Sequence, residues 1–299
     1  MLIPNIICVT VLFVVFLIGI ITILIIISNR ESIKNALFTK CQIKISDDFV
    51  NFNPFDIPNN YSTYISSGCL NFIGKIYNND MSNIRYMERK LSIYNSYDSH
   101  TPFIQIWKHK SNNIVFICFR GTSYNTYLEW YNNIKSSQIA INECNYENKP
   151  GILKQNNVKI HKGFVNLYNM IWPSILEFVK TLQKECKICV CGHSMGGSMA
   201  SIISYDIKDY VDNIYVYVYG TPRIGNLQFC QELTKKIPYI YRIVNKDDTF
   251  TETPPSVYPN FRRPKHPYVY SHCGIEIPFK LNLGTVEGNH CLSTYMKYC

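Results

Sequence analysis

A junction between a strand and a helix constrains this chain more than any other feature. Residues 188–191 form a short apolar run of strand length, and residues 195–207 follow with a helical pattern rich in small side chains (Gly196, Gly197, Ser198, Ala200, Ser201). Joining them is Gly192-His193-Ser194-Met195-Gly196, which fits G-x-S-x-G. A serine on so sharp a turn must take up a strained backbone conformation. Glycines two before and two after it leave room where side chains would clash. The turn lifts the hydroxyl clear of the sheet and sets it at the start of the next helix. There the backbone donors and the helix dipole favour negative charge developing on an oxygen. Ser194 is therefore the candidate nucleophile. A glycine-rich helix start with an incidental serine is the bland alternative, and it does not require the strand in front.

The rest of the chain supports the same architecture. Residues 114–119 read as a buried strand, stopped by Arg120-Gly121-Thr122. Residues 164–182 carry apolar side chains at helical spacing, and Pro173 either kinks that helix or starts a second one. Residues 214–219 read as a strand stopped by Gly220-Thr221-Pro222, and residues 239–244 as another. Strands alternating with helices imply an α/β fold, with a mostly parallel central sheet and helices on both faces. With 46% apolar and 17% charged residues, the composition excludes disordered, collagen-like and coiled-coil chains. The net charge of +9 is scattered with no dense basic stripe, which points to an anionic lipid surface and away from nucleic acid.

Residues 6–27 contain no charged side chain, so a helix there spans roughly 33 Å, enough for a hydrocarbon core. We read residues 1–27 as a transmembrane anchor. A cleaved signal peptide is the alternative, but no Lys or Arg precedes the run and no small-residue cleavage site ends it. Residues 28–60, more polar and holding Pro54 and Pro58, read as a juxtamembrane linker, and residues 61–299 as the catalytic domain. Sidedness is contradictory. Arg30, Lys34, Lys40 and Lys44 follow the span and favour a cytoplasmic catalytic portion. Twelve cysteines and the sequon Asn60-Tyr61-Ser62 favour an oxidising compartment.

A serine hydroxyl needs a base to take its proton, and the base needs an acid to orient it. In a fold with this kind of serine turn these follow the serine as acid, then histidine. Asp247 and Asp248 lie after the strand at 239–244, and His266, His272 and His290 lie further on. The residues alone leave both choices open.

Five segments occur in an order that resembles the class 3 lipases, the fungal-type triacylglycerol lipases of the α/β-hydrolase superfamily. They are Phe119-Arg120-Gly121-Thr122, Ile160-His161-Lys162-Gly163-Phe164, Gly192-His193-Ser194-Met195-Gly196-Gly197, Gly220-Thr221-Pro222-Arg223-Ile224-Gly225-Asn226 and Val244-Asn245-Lys246-Asp247-Asp248. The resemblance covers residues 61–299 and implies an α/β-hydrolase fold. In the family a Pro-Pro pair follows the acid by six and seven residues, as Pro254 and Pro255 follow Asp248. The family's histidine lies near the C-terminus with a Tyr soon after, which matches His290 and Tyr295. The resemblance thus implies a catalytic Ser194, Asp248 and His290. It also implies an oxyanion hole formed by the backbone N–H groups of Thr122 and Met195, each worth about 3 kcal/mol in the transition state.

The resemblance further implies an amphipathic lid over residues 124–134, with Tyr127, Leu128, Trp130 and Tyr131 as lid or substrate contacts. A plain surface helix is the alternative there. The family often has Asp where Asn133 stands, Val-Pro where Phe250-Thr251 stands, and Leu in place of Met195. Fungal relatives join an early segment to the C-terminus by a disulfide, and Cys69 and Cys299 are similarly placed, so a lumenal or extracellular domain would carry that bridge. Cys186-Lys187-Ile188-Cys189 runs into a strand and lacks a second pair, so these cysteines and Cys191 read as ordinary thiols. The expected activity is serine ester hydrolysis of acylglycerols at a membrane or lipid-droplet surface, without metal or organic cofactor. The alternatives are a phospholipase or general esterase with the same residues, and an inactive lipase-like module that binds lipid or protein.

Overall fold

Apolar runs long enough for one strand, bounded by glycine or proline, build the centre of the molecule. A computed structural model of the chain describes residues 42–95, 98–122, 137–140, 143–144, 147–260 and 263–299. Helix α1 (Thr63–Tyr77) comes first, its start capped by Ser62, whose side chain accepts from the N–H of Ile65. Then follow β1 (Met87–Ile93), β2 (Ile104–His109), β3 (Ile114–Phe119) and the short β4 (Gln138–Ile139) and β5 (Ile160–His161). Next come α2 (Lys162–Val179), β6 (Lys187–His193), α3 (Met195–Ile207), β7 (Asn213–Tyr219), α4 (Leu227–Lys236) and β8 (Ile240–Asn245). The short β9 (Val257–Tyr258) and β10 (Tyr268–Val269), then β11 (Ile275–Phe279), α5 (Val286–His290) and α6 (Leu292–Met296), complete it. Helix α2 runs unbroken through Pro173.

The main sheet has the order β1-β2-β3-β6-β7-β8-β11. The pairs β1–β2 and β2–β3 are antiparallel, and every pair from β3 to β11 is parallel. This is the mostly parallel α/β sheet that the alternation predicts. Parallel strands covered on both faces must be apolar on both, and β3 is buried at all six positions. Successive residues serve opposite faces. Ile188 and Val190 join the core under α2, α3 and α4, whereas Cys189 and Cys191 join the core under α1.

Gln42–Cys299 forms one compact unit. The segment read as linker is, from residue 42 on, part of it. Phe49, Phe52 and Ile57 are buried, and the Phe52 ring meets Phe72 at 5.8 Å and Phe116 at 5.7 Å. Burial of two phenylalanines outweighs the prolines that suggested a connector. The apolar run at 6–27, the proposed anchor, lies outside the described residues. Among the described residues no helix is long and apolar enough to cross a membrane.

The expected Cys69–Cys299 bridge is corrected. Both are free thiols. Cys299 Sγ lies 3.2 Å from Ser66 Oγ, one helical turn short of Cys69, whose sulfur instead lies 3.4 Å from Cys189 Sγ. Among the described cysteines only Cys291 is disulfide-bonded. Cys186, Cys189 and Cys191 are buried thiols, and burial pushes each thiol up from its ordinary value.

Candidate active site

The turn from β6 into α3 is as tight as its glycines suggest. A side chain at Gly192 would lie 2.3 Å from the carbonyl oxygen of Gly196, and one at Gly196 would lie 2.2 Å from that of Arg120. Ser194 takes φ +56° and ψ −128°, a region that L residues rarely occupy. Its N–H donates to the carbonyl of Tyr219 at 2.8 Å, tying the turn to the neighbouring strand. Strain here is held by backbone contacts on both sides, which leaves the hydroxyl free to face the loops at the ends of β3 and β8.

Those loops deliver the partners. Asp248 lies three residues beyond the end of β8 and is 2% exposed. His290 ends α5. His290 Nδ1 is 2.7 Å from Asp248 Oδ2, and His290 Nε2 is 2.8 Å from Ser194 Oγ. A carboxylate only accepts, so Nδ1 carries the hydrogen and Nε2 is left to accept from the serine hydroxyl. Hydroxyl, imidazole and carboxylate therefore form one series, drawn from positions 194, 290 and 248. The other candidates lie elsewhere. His266 is exposed on a turn. His272 is half-buried, and that burial, then the charges of Arg242 and Arg223, lowers its pKa to about 4.

Asp248 is oriented by two further donors. Its Oδ1 accepts from the N–H of Phe250 at 3.0 Å, and Oδ2 accepts from the buried phenol of Tyr295 at 2.6 Å. Burial and the adjacent Asp248 charge push the Tyr295 phenol well above its ordinary pKa, so it stays a donor. Tyr295→Phe removes a hydrogen bond to a buried carboxylate. We expect it to cost about 1.5–3 kcal/mol. An unchanged midpoint in chemical denaturation would show that the phenol is not bonded to that carboxylate in solution.

Two asparagines join the acid's loop to the base's loop. Asn245, fully buried, donates through Nδ2 to the carbonyls of Leu281 and Asn289 at 2.8 and 3.0 Å. Asn289 donates through Nδ2 to the carbonyl of Asp247 at 3.0 Å, and its Oδ1 accepts from the N–H of Leu283 at 2.7 Å.

A second chain of hydrogen bonds runs behind the serine. His193 is buried, and burial together with the nearby His290 holds its pKa well below the usual range, so it is neutral. Its Nε2 donates to the His290 carbonyl at 2.8 Å, which leaves Nδ1 to accept from the Tyr77 hydroxyl at 2.9 Å. Tyr77 in turn accepts from the N–H of Gly121 at 2.7 Å. This chain links the end of α1, the loop after β3 and the turn carrying the base. Sequence reasoning named neither Tyr77 nor a role for His193. For His193 the available signal was its place inside the G-x-S-x-G turn, where a side chain must pack against whatever backs the serine.

Thr122 and Met195, the expected oxyanion-hole residues, stand together, with Thr122 Oγ1 3.9 Å from Met195 Sδ. Met195 opens α3, and the first N–H groups of a helix have no partner within it. The loop carrying Thr122 presses close: a side chain at Gly121 would lie 2.9 Å from Ser194 Cβ. Arg120, fully buried, holds this loop through Nη1 to the Gly121 carbonyl at 2.7 Å and Nη2 to Asp98 Oδ2 at 3.1 Å. The expected lid residues Tyr127, Leu128, Trp130 and Tyr131, with Asn133, lie outside the described residues. Among the described residues no cluster of three His, Cys, Asp or Glu side chains is arranged to hold a metal ion.

With this geometry in hand, comparison with known proteins is specific. The family model for lipase (class 3) matches residues 116–258. A chloroplastic galactolipase of Arabidopsis thaliana, DONGLE, is 28% identical over 219 residues, which is 61% of this chain and 44% of that protein. A chloroplastic phospholipase A(1) of the same plant, DAD1, is 28% identical over 216 residues, 62% of this chain and 46% of that one. The chain thus spans less than half the length of these relatives. The crystal structure of a lipase from Rhizopus microsporus var. chinensis has the same fold, with a TM-score of 0.53 and 18% identity over 81% of this chain and 83% of that one. The family model and the relatives thus support a place for the chain among the class 3 lipases, and its fold is that of a fungal lipase.

Proposed function

We propose that the protein is a serine ester hydrolase acting on acyl lipids, with Ser194, His290 and Asp248 as its catalytic residues. One observation carries the reading: His290 bridges a strained serine and a buried carboxylate at 2.8 and 2.7 Å. Ser194 Oγ attacks the ester carbonyl carbon as its proton passes to His290 Nε2. The negative charge that collects on the carbonyl oxygen is met by the N–H groups of Thr122 and Met195. The imidazolium, held by Asp248, then gives its proton to the departing alcohol as the carbon–oxygen bond breaks and the acyl-enzyme forms. Water enters by the same steps in reverse roles, with His290 as base, and releases the fatty acid and the free serine.

The substrate class we propose is glycerolipid acyl ester, acylglycerols first. The names of the relatives, a galactolipase and a phospholipase A(1), favour polar glycerolipids as the second reading. The apolar stretch at 6–27 would serve as a membrane anchor or a cleaved leader, and residues 124–134 as a cover that yields to a lipid surface. Fatty-acid release should be measured on tri-, di- and monoacylglycerol emulsions and on phosphatidylcholine and galactolipid vesicles. Release from at least one class is expected. A folded protein that is inert on all of them would favour the lipid- or protein-binding alternative.

A further inference from the structure

His290 has a neighbour that the proton-transfer steps do not use. The ring of Phe250 lies against the imidazole, with centroids 4.4 Å apart and planes inclined by 33°. Phe250 follows Asp248 by two residues and donates its N–H to that carboxylate, so the acid's own turn presents the ring to the base. The side chain is half-buried. His193 supplies a second ring contact at 4.9 Å and 34°, and that ring is neutral. Val, which the family often has near this point, would fill space there without offering an aromatic face.

On the ester-hydrolase reading, on which this inference rests, His290 becomes positively charged in each transition state. The face of an aromatic ring attracts a cation within about 6 Å of its centre. We propose that Phe250 is a positioning residue whose ring face stabilises the imidazolium form of His290, alongside the Asp248 carboxylate. The groups around His290 then have distinct parts. Asp248 supplies negative charge at Nδ1, Ser194 supplies the proton at Nε2, His193 is a neutral ring, and Phe250 offers electron density above the imidazole.

Replacing Phe250 in the full chain by mono-, di- and trifluorinated phenylalanine tests this. Fluorine keeps the ring's shape and drains electron density from its face. We expect kcat for a soluble short-chain ester to fall stepwise, by about two- to fivefold across the series, with KM and melting temperature unchanged. The second-order rate of fluorophosphonate labelling at Ser194 should fall in parallel. Phe250→Leu should match or fall below the trifluorinated protein, and Phe250→Trp should recover the rate. Constant rates across the fluorinated series, in a wild-type protein that hydrolyses and labels, would overturn the role of the ring and leave the hydrolase reading intact. A folded wild-type protein that neither hydrolyses nor labels would remove both.

Discussion

Ser194→Ala is expected to lower ester hydrolysis by about 10⁴- to 10⁶-fold and to abolish fluorophosphonate labelling. In the proposed mechanism this side chain is the attacking group, and among the described residues no second hydroxyl or thiol stands in series with His290. The fold should survive the change. The strained backbone at position 194 is held by the bond from its N–H to Tyr219 and by the bond from the Gly197 N–H to its carbonyl, and alanine keeps both. The lost contact is one hydrogen bond to a partly exposed ring, so stability should change by no more than about 1 kcal/mol. His290→Ala should fall to a similar residual rate, and the double variant should be no worse than either single one, because the two groups act as a unit. The remaining activity would reflect substrate binding and the donors of Thr122 and Met195. A well-folded Ser194→Ala protein that still turned over ester at a tenth of the wild-type rate would end the assignment of this residue.

Asp98→Ala is expected to have the largest effect on stability. Arg120 is fully buried and Asp98 nearly so, at 0% and 8% side-chain exposure, with Arg Nη2 3.1 Å from Asp Oδ2. Removing the carboxylate takes a counter-charge from a buried guanidinium, which costs about 3–5 kcal/mol. In a domain of this size the melting temperature should fall on the order of 10 °C. The same carboxylate accepts from the N–H groups of His100 and Thr101, so its loop loosens as well. Activity should fall further than the unfolded fraction explains, since Arg120 also grips the Gly121 carbonyl next to Thr122. The pair formed by Lys44 and Asp47 is the control. Both side chains are almost fully exposed, and Asp47→Ala should leave the melting temperature where it is. An Asp98→Ala protein that melts within 2 °C of wild type, a threshold set well inside the expected ~10 °C, would show the ion pair to be absent in solution.

What could be seen in the sequence had local causes. The turn around Ser194 needs glycine at Gly192 and Gly196 because backbone passes within 2.4 Å of where their side chains would be, and steric demand of that kind leaves letters behind. The runs that became β3, β6, β7 and β8 are legible because a strand covered on both faces must be apolar throughout. The acid and the base were harder. Positions 248 and 290 meet across 42 residues, and no periodicity signals such a meeting. Chain order and family spacing, rather than local chemistry, chose Asp248 over Asp247 and His290 over His272. The packing of residues 42–60 was missed because Pro54 and Pro58 suggested a connector, while Phe49 and Phe52 gave no regular pattern. The Cys69–Cys299 bridge was misjudged because Cys299 meets Ser66, one helical turn short of Cys69, a distance that sequence spacing cannot resolve. Tyr77 stayed invisible because its partners, His193 and Gly121, come from other segments entirely.

The asparagines at 245 and 289 have a consequence for how the protein fails on heating. Each spans both loops, so the turn bearing the carboxylate and the turn bearing the imidazole share their fastenings. A fluctuation that frees one must also break the bonds that retain the other. The two turns are therefore expected to open and close together, as a single cooperative unit. Partial misalignment of the acid and base should be sparsely populated below the temperature of that opening, and activity should vanish in one step rather than fade.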